Sequence, residues 1–250
     1  MKKLLTILTA LFGLMSCSGG NNQTAFPEDS LSFGTPSGKT LRVACIFHGS
    51  LAFEYDGNVI QVDPVTRMGD MKIDYSAFGK ADAIFITHSH HDHLCQEAID
   101  TLSGEKTALY ANAESVSVIG RGKVLANGDS GELSGGVSYT AVPAYNTTPG
   151  KEKYQPKGRD NGFILTIDGF RVYISGDTED IPEMRNIKNI DVAFLSTNQP
   201  FTMTPEQIVR AAKLIKPKVL FPYHYSDTPI QKVADLLKGT GIDVRIRNYQ

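Results

Sequence analysis

The stretch T-H-S-H-H-D-H-L, residues 87–94, gathers the side chains best able to hold a metal. Five of its eight residues are His or Asp, and four of those are histidines, out of only 6 in a chain of 250. Imidazole nitrogen and carboxylate oxygen together suit zinc, manganese or iron. Directly ahead runs A-I-F-I, residues 83–86, an unbroken apolar run that reads as a buried strand feeding a polar loop. Ligands at a strand end stand on rigid backbone. Spaced as H-x-H-x-D-H, the motif offers His88 and His90 to one cation and Asp92 and His93 to a second, because the turn after a strand splays consecutive side chains. His91 takes the variable position and is expected to point away from the cations. A cation so held lowers the pKa of a bound water from about 15.7 toward about 7, giving hydroxide at neutral pH, so hydrolysis needs no nucleophilic side chain. Asp92 would hold one cation and take a proton from the attacking water.

These side chains need a scaffold, and the apolar pattern describes one. Short strands are expected at residues 41–47, 51–55 and 58–62, the last two joined across an Asp56-Gly57 hairpin turn. Strands then alternate with helices, at residues 81–86, 107–112, 137–144, 162–167, 171–175, 191–196 and 218–223, with Asp168-Gly169 as a further tight turn. Thr204-Pro205 with Gln207, and Thr228-Pro229 with Gln231, each predict a capping box with proline at the first helical position. Ile208, Ala211, Ala212 and Ile215 form one apolar stripe, and Ile230, Val233, Ala234 and Leu237 another, so each helix can lie on a sheet. The class is layered α/β. His48 and Asp63 fall at early strand ends, where they are expected to orient the ligand imidazoles through hydrogen bonds.

At the start, Lys2 and Lys3 precede an apolar run, residues 4–15, that is shorter than the roughly 20 residues a spanning helix needs, so it reads as a signal-peptide core. Leu14-Met15-Ser16-Cys17 resembles a bacterial lipobox, which makes Cys17 the lipidated first residue, each buried CH2 adding about 0.8 kcal/mol of membrane affinity. Residues 18–40 are rich in Ser, Gly, Asn, Thr and Pro and are expected to be a flexible tether, with the folded domain at residues 41–250. A net charge of -2 and the lack of a basic run exclude a nucleic-acid or anionic-lipid surface, leaving a small-molecule substrate and a membrane tie through the anchor alone. The expected location is the bacterial cell envelope, facing the periplasm or the outer surface. Of the 3 cysteines, Cys45 and Cys95 remain after processing, too few for a disulfide scaffold. Cys45 reads as a small strand residue and Cys95 as a core-facing residue in the first turn of a helix.

Over residues 40–250 the chain resembles the metallo-β-lactamase superfamily of hydrolases. The resemblance rests on the histidine motif, on Asp63-Pro64, on Gly176-Asp177-Thr178 and on the P-Y-H-Y of residues 222–225, in matching order. The segments V-P-A-Y-N (142–146), T-M-T (202–204) and P-Y-H-Y look most like the branch that includes the ascorbate-phosphate lactonase-like proteins. The resemblance implies a four-layer αββα sandwich with metal loops along one edge of the paired sheets. It implies Asp177 as a carboxylate bridging two cations and His224 as the last metal histidine. Tyr145, Asn146, Asn198, Gln199 and Tyr225, on loops around the metals, are candidate pocket residues. One departure stands out. In that branch a third histidine for the first cation lies in a segment like H-P-K-G, where this chain has Tyr154-Gln155-Pro156-Lys157-Gly158, and no histidine falls between His93 and His224. Gln155 could bind through its amide oxygen, but a neutral carbonyl is a poorer donor to zinc than imidazole. The expectation is one tight cation at Asp92, His93, Asp177 and His224, with the His88–His90 site weak or empty. The chain reads as a metal-dependent hydrolase of a small ester, lactone, amide or phosphodiester. The alternative is a non-catalytic lipoprotein on the same fold that binds metal or solute.

Overall fold

The structure, a computed structural model, describes residues 26–27 and 29–248, so the leader, the lipobox and Cys17 lie outside the described residues. Apolar alternation builds two mixed sheets of the same plan. The first contains β1 (Leu31–Gly34), β2 (Thr40–Phe47), β3 (Ser50–Tyr55) and β4 (Asn58–Val62). A small separate hairpin, β5 (Arg67–Met68) and β6 (Met71–Lys72), follows, and the first sheet resumes with β7 (Ala83–Ile86), β8 (Ala108–Ala111) and β9 (Lys123–Val124). The second contains β10 (Ser130–Leu133), β11 (Val137–Ala144), β12 (Asp160–Ile167), β13 (Phe170–Ile174), β14 (Val192–Ser196), β15 (Val219–Tyr223) and β16 (Asp243–Val244). In each sheet four strands pair antiparallel, and from the fourth onward the pairing is parallel.

Residues on the inward faces close over one another: Val43, Phe53, Val62 and Phe85 of the first sheet share a buried cluster with Phe163, Val172, Phe194 and Phe221 of the second. Phe53 meets Phe194 edge-on at 6.4 Å. Each such side chain, fully removed from water, stabilises the fold by about 1.5–3 kcal/mol. Outside the first sheet lie α1 (Gln96–Leu102) and α2 (Ala113–Ile119), where Ala98, Ile99 and Leu102 pack with Ile84 and Ile86. Outside the second lie α3 (Pro205–Ile215) and α4 (Gln231–Leu236), where Ile208, Ala211, Ala212, Ile215, Val233 and Leu237 pack with Tyr173, Ala193 and Leu220. The layers are αββα, as expected. Among the described residues no helix is long and apolar enough to cross a membrane.

Three expectations are corrected. The tether does not extend to residue 40, because Leu31–Gly34 pairs antiparallel with residues 40–43 and Leu31 is buried. Phe26 is buried too, edge-on to Phe78 at 5.6 Å, with the Arg42 guanidinium 4.9 Å from its ring centre. Phe26, Leu31 and Phe33 are too sparse among Ser, Gly and Thr to show a periodic pattern, yet three apolar anchors suffice to lay an edge strand. The second capping box is absent: α3 has its Thr204–Gln207 box, but α4 starts at Gln231 with Ile230 as a cap that makes no side-chain bond. Backbone carbonyls take the entry N–H groups instead, Ile230 N donating to Thr228 O at 2.7 Å and Val233 N to Ile230 O at 2.9 Å. Cys95 packs against the core as expected but caps α1 from one residue ahead of its first turn, half-buried, with Sγ 3.3 Å from Thr66 Oγ1.

Candidate metal centre

In mixed sheets of this kind ligands gather outside the carboxyl ends of parallel strands. Asp63 follows β4, Thr87 to His93 follow β7, Asp177 follows β13 and His224 follows β15, so both sheets deliver their loops to one edge. His48 joins them from the turn between β2 and β3. His48, Asp63 and His224 adopt left-handed φ angles of 46°, 46° and 50°. That conformation costs a non-glycine residue roughly 1–2 kcal/mol, and here it turns each side chain off its strand into the centre. Gly176 has φ 60°, and a Cβ there would lie 2.8 Å from Asn161 O and 3.1 Å from Thr87 Cβ, so only glycine lets β13 bring Asp177 this close to the Thr87 loop.

Side chains from these loops form one cluster. His88 and His90 group with Asp177, and His93 and His224 group with the same Asp177. His93 Nε2 lies 3.4 Å and His224 Nε2 3.5 Å from Asp177 Oδ1, and His224 Nε2 lies 3.3 Å from Asp92 Oδ2. His88 Nε2 is 3.8 Å from Asp177 Oδ2. His48 groups with Asp92 and His224: its Nε2 reaches Asp92 Oδ2 at 3.3 Å and its ring sits 3.7 Å from that of His224, so its hydrogen bond goes to a carboxylate of the cluster and not to an imidazole. His91 is exposed.

One buried carboxylate orders two of the imidazoles. Asp63 accepts the Thr87 backbone N–H at 2.7 Å, the Thr87 hydroxyl at 2.7 Å and His93 Nδ1 at 2.8 Å. Since a carboxylate only accepts, His93 carries its proton on Nδ1 and turns the lone pair of Nε2 inward. Thr87 has given its only hydroxyl proton to Asp63, so its oxygen accepts from His88 Nδ1 at 3.0 Å, and His88 Nε2 likewise keeps its lone pair.

The electrostatics agree with a cation-binding role. Burial pushes His88 well below its ordinary pKa and holds His48 down to about 4, so both imidazoles are neutral donors. Burial opposes ionisation of Asp92 and Asp177, but the flanking imidazoles outweigh it and hold both carboxyls below their usual range. Burial likewise works against a charged His93, and Asp177, Asp63 and Asp92 overcome it, pushing that group well above its ordinary value. Three carboxylates thus favour positive charge at one point. His93 Nε2 and Asp177 Oδ1, fully buried there, have no hydrogen-bond partner. Positive charge is favoured between them, supplied by a proton on His93 Nε2 that a divalent cation would displace on binding, so these residues fit a divalent metal.

Other expected residues are placed differently. Gln155 is fully buried at the His88–His90 corner, but Nε2 and not the amide oxygen faces Asp177 Oδ2, at 3.3 Å, which removes its expected role as a weak oxygen ligand. Asn146 is buried behind Gln155 and donates to its Oε1 at 2.9 Å instead of lining a pocket. The Tyr145 hydroxyl is drawn to Glu183 at 2.8 Å and its ring packs with Ile181 and Met184, and the Tyr225 hydroxyl donates to Arg247 O, so neither phenol faces the cluster. Asn198 and Gln199 are half-buried in a turn where Gln199 takes Lys151 Nζ at 2.9 Å. A cleft of about 910 Å³ lies at the other end of the strands, lined by Phe33, Arg171, Lys188, Asp191, Lys216 and Lys218, away from the cluster.

Sequence reasoning missed three contributors. Thr87 carries the relay just described, and its position right after the strand was the available signal. Gly49 gives the cluster its floor, since a Cβ there would lie 2.9 Å from His93 Cε1. Glu179, fully buried, accepts the backbone N–H groups of Thr147 at 2.8 Å and Thr148 at 2.6 Å and so pins the loop that carries Gln155.

Comparison with known proteins agrees with this geometry. A family model described as a β-lactamase superfamily domain matches residues 42–224. A UPF0173 metal-dependent hydrolase of Archaeoglobus fulgidus is 30% identical over 181 residues, covering 67% of this chain and 78% of its own. One from Bacillus mycoides is 31% identical over 201 residues, covering 76% and 87%. Among solved structures, a candidate metal-dependent hydrolase from Parabacteroides distasonis is 54% identical with a TM-score of 0.85, covering 88% of this chain and 99% of that one. Igni18, a metallo hydrolase from Ignicoccus hospitalis, is 25% identical with a TM-score of 0.68, covering 83% and 95%.

Proposed function

We propose, for a chain that belongs to the metallo-β-lactamase superfamily and within it to the UPF0173 metal-dependent hydrolases, that water cleaves a small ester, lactone, amide or phosphodiester at the Asp92, His93, Asp177 and His224 centre. One observation carries the assignment of the centre: His93 Nε2 and Asp177 Oδ1 are buried, mutually close and unpartnered. When bound there, a divalent cation acidifies water and polarises the electrophilic oxygen of the substrate. Zinc suits the donor set best, with manganese or iron as alternatives. Asp63 holds His93 in the tautomer the centre needs, and His48 holds Asp92 Oδ2. Asp92 keeps 21% of its side chain exposed while His88 and His93 keep none, so Asp92 is the carboxylate placed to meet entering water and to take its proton.

The V-P-A-Y-N, T-M-T and P-Y-H-Y segments support placing the chain near the ascorbate-phosphate lactonase-like branch, which makes lactones the first class to assay. The lipobox-like residues 14–17 support a Cys17 lipid anchor in the cell envelope, with the hydrolase facing the periplasm or the outer surface. The test is turnover by purified protein on a panel of lactones, esters, amides and phosphodiesters, with and without a chelator. Turnover of one class, abolished by the chelator and restored by a divalent cation, is expected. No turnover on any class at full metal load would refute the reading.

A further inference from the structure

Gln155 is fully buried between the Asn146 amide and the Asp177 carboxylate. Its neighbours decide which end of its own amide faces the centre. Asn146 Nδ2 lies 2.6 Å from Phe201 O and 3.3 Å from Lys151 O. Backbone carbonyls only accept, so the Asn146 atom facing them is the NH2. That same NH2 lies 2.9 Å from the Gln155 side chain, so the Gln155 atom it meets is the oxygen, and Nε2 is turned to Asp177 Oδ2. Turning Gln155 over would set two buried NH2 groups against each other. Asn146 cannot turn with it without pressing its oxygen against two carbonyls. The loop has little freedom to relieve either clash, because Asn146 N donates to Gln155 O at 2.9 Å and Glu179 holds Thr147 and Thr148.

We propose that Gln155 is a positioning residue that turns an N–H toward Asp177 Oδ2, setting a donor where the His88–His90 corner needs a further lone pair, so that the chain holds a single cation, at Asp92, His93, Asp177 and His224. The neighbouring imidazoles agree. His88 Nε2 and His90 Nδ1 lie 3.0 Å apart, and with His88 Nδ1–H already given to Thr87, His90 Nδ1–H donates to His88 Nε2. That bond competes with a cation for the His88 lone pair. Asp177 is then a terminal ligand and not a bridge.

The inference rests on the proposed function for the identity of the cation ligands and not for turnover, so its test reads metal binding. Apo full-length protein is titrated with Co(II), following affinity by competition with a chromophoric chelator and metal–metal coupling by electron paramagnetic resonance. Native protein should take one tight equivalent. Gln155→Ala releases Asp177 Oδ2, and affinity for a second equivalent should rise about 10-fold or more, the scale on which residues behind metal ligands act. Unchanged or weaker second-equivalent binding in Gln155→Ala overturns the proposal, the weaker result marking the glutamine oxygen as a ligand. Gln155→His, which preserves volume if the alanine variant fails to fold, should take two equivalents with coupled spins, and one equivalent overturns the proposal. Two equally tight equivalents in the native protein also overturn it. Substrate panels run on the same samples separate the two readings: a native chain with one cation and no turnover counts against the hydrolase assignment alone.

Discussion

Replacing Asp63 by Asn tests whether this carboxylate orders the centre. The change keeps shape and burial but trades one acceptor oxygen for an NH2. Oδ1 receives the Thr87 backbone N–H at 2.7 Å, and Oδ2 receives both the Thr87 hydroxyl at 2.7 Å and His93 Nδ1 at 2.8 Å. If the NH2 takes the Oδ1 position, it opposes the Thr87 N–H, and a buried donor left without an acceptor costs about 1–3 kcal/mol. If it takes the Oδ2 position, His93 must accept at Nδ1 and move its proton to Nε2, the atom 3.4 Å from Asp177 Oδ1 that faces the cation. Either way the centre loses affinity. Outer partners of metal-binding histidines are worth about 10–100-fold in affinity, or about 1.4–2.7 kcal/mol. At a fixed metal concentration above saturation the lost binding lowers the stability of the loaded protein by the same amount, a fall in Tm of about 3–10 °C for a domain of this size. The assay is competition with a chromophoric chelator for affinity, with thermal unfolding in the presence and absence of metal. Affinity within about threefold of the native value would refute tautomer control by Asp63.

Three further outcomes are expected. Asp177→Asn removes a charge that both groups of ligands share, so metal content by elemental analysis and turnover should both fall severely, and retained metal would show that Asp177 is not a ligand. Gly49→Ala would place a Cβ 2.9 Å from His93 Cε1 and 3.2 Å from its Nδ1, a crowding of about 1–3 kcal/mol that should displace the ring and weaken metal binding with little change in circular dichroism. Native affinity in that variant would show that the ring has room to yield. Cys17→Ser should move the protein from the membrane fraction to the soluble periplasmic fraction, and persistence with membranes would rule out the lipobox.

The ligand cluster could be read from the chain because its chemistry is local. His88, His90, Asp92 and His93 lie within six residues of one another and directly follow the apolar run of β7, so neighbouring residues both identify the donors and place them at a strand end. Asp177 and His224 could be read for the same reason, each just past a strand whose apolar residues are plain in the sequence. Layered α/β followed from strand alternation and the two helical stripes, and the resemblance carried by the motifs implied the αββα order. What could not be read depends on partners distant in the chain. Leu31–Gly34 becomes a strand because β2 offers it a free edge, and its own composition reads as a linker. Thr228 loses its expected capping role because backbone carbonyls reach the entry of α4 first. The phenols of Tyr145 and Tyr225 go to Glu183 and to Arg247 O, partners that come near only after folding. Gln155 shows the division most sharply. The sequence determined that a glutamine stands where the related branch has a histidine, and so that the corner lacks an imidazole. Tertiary structure alone decided which end of the amide points inward, because that direction is imposed through Asn146 by the carbonyl of Phe201, 55 residues beyond it, and an amide has no preference of its own until acceptors and donors surround it.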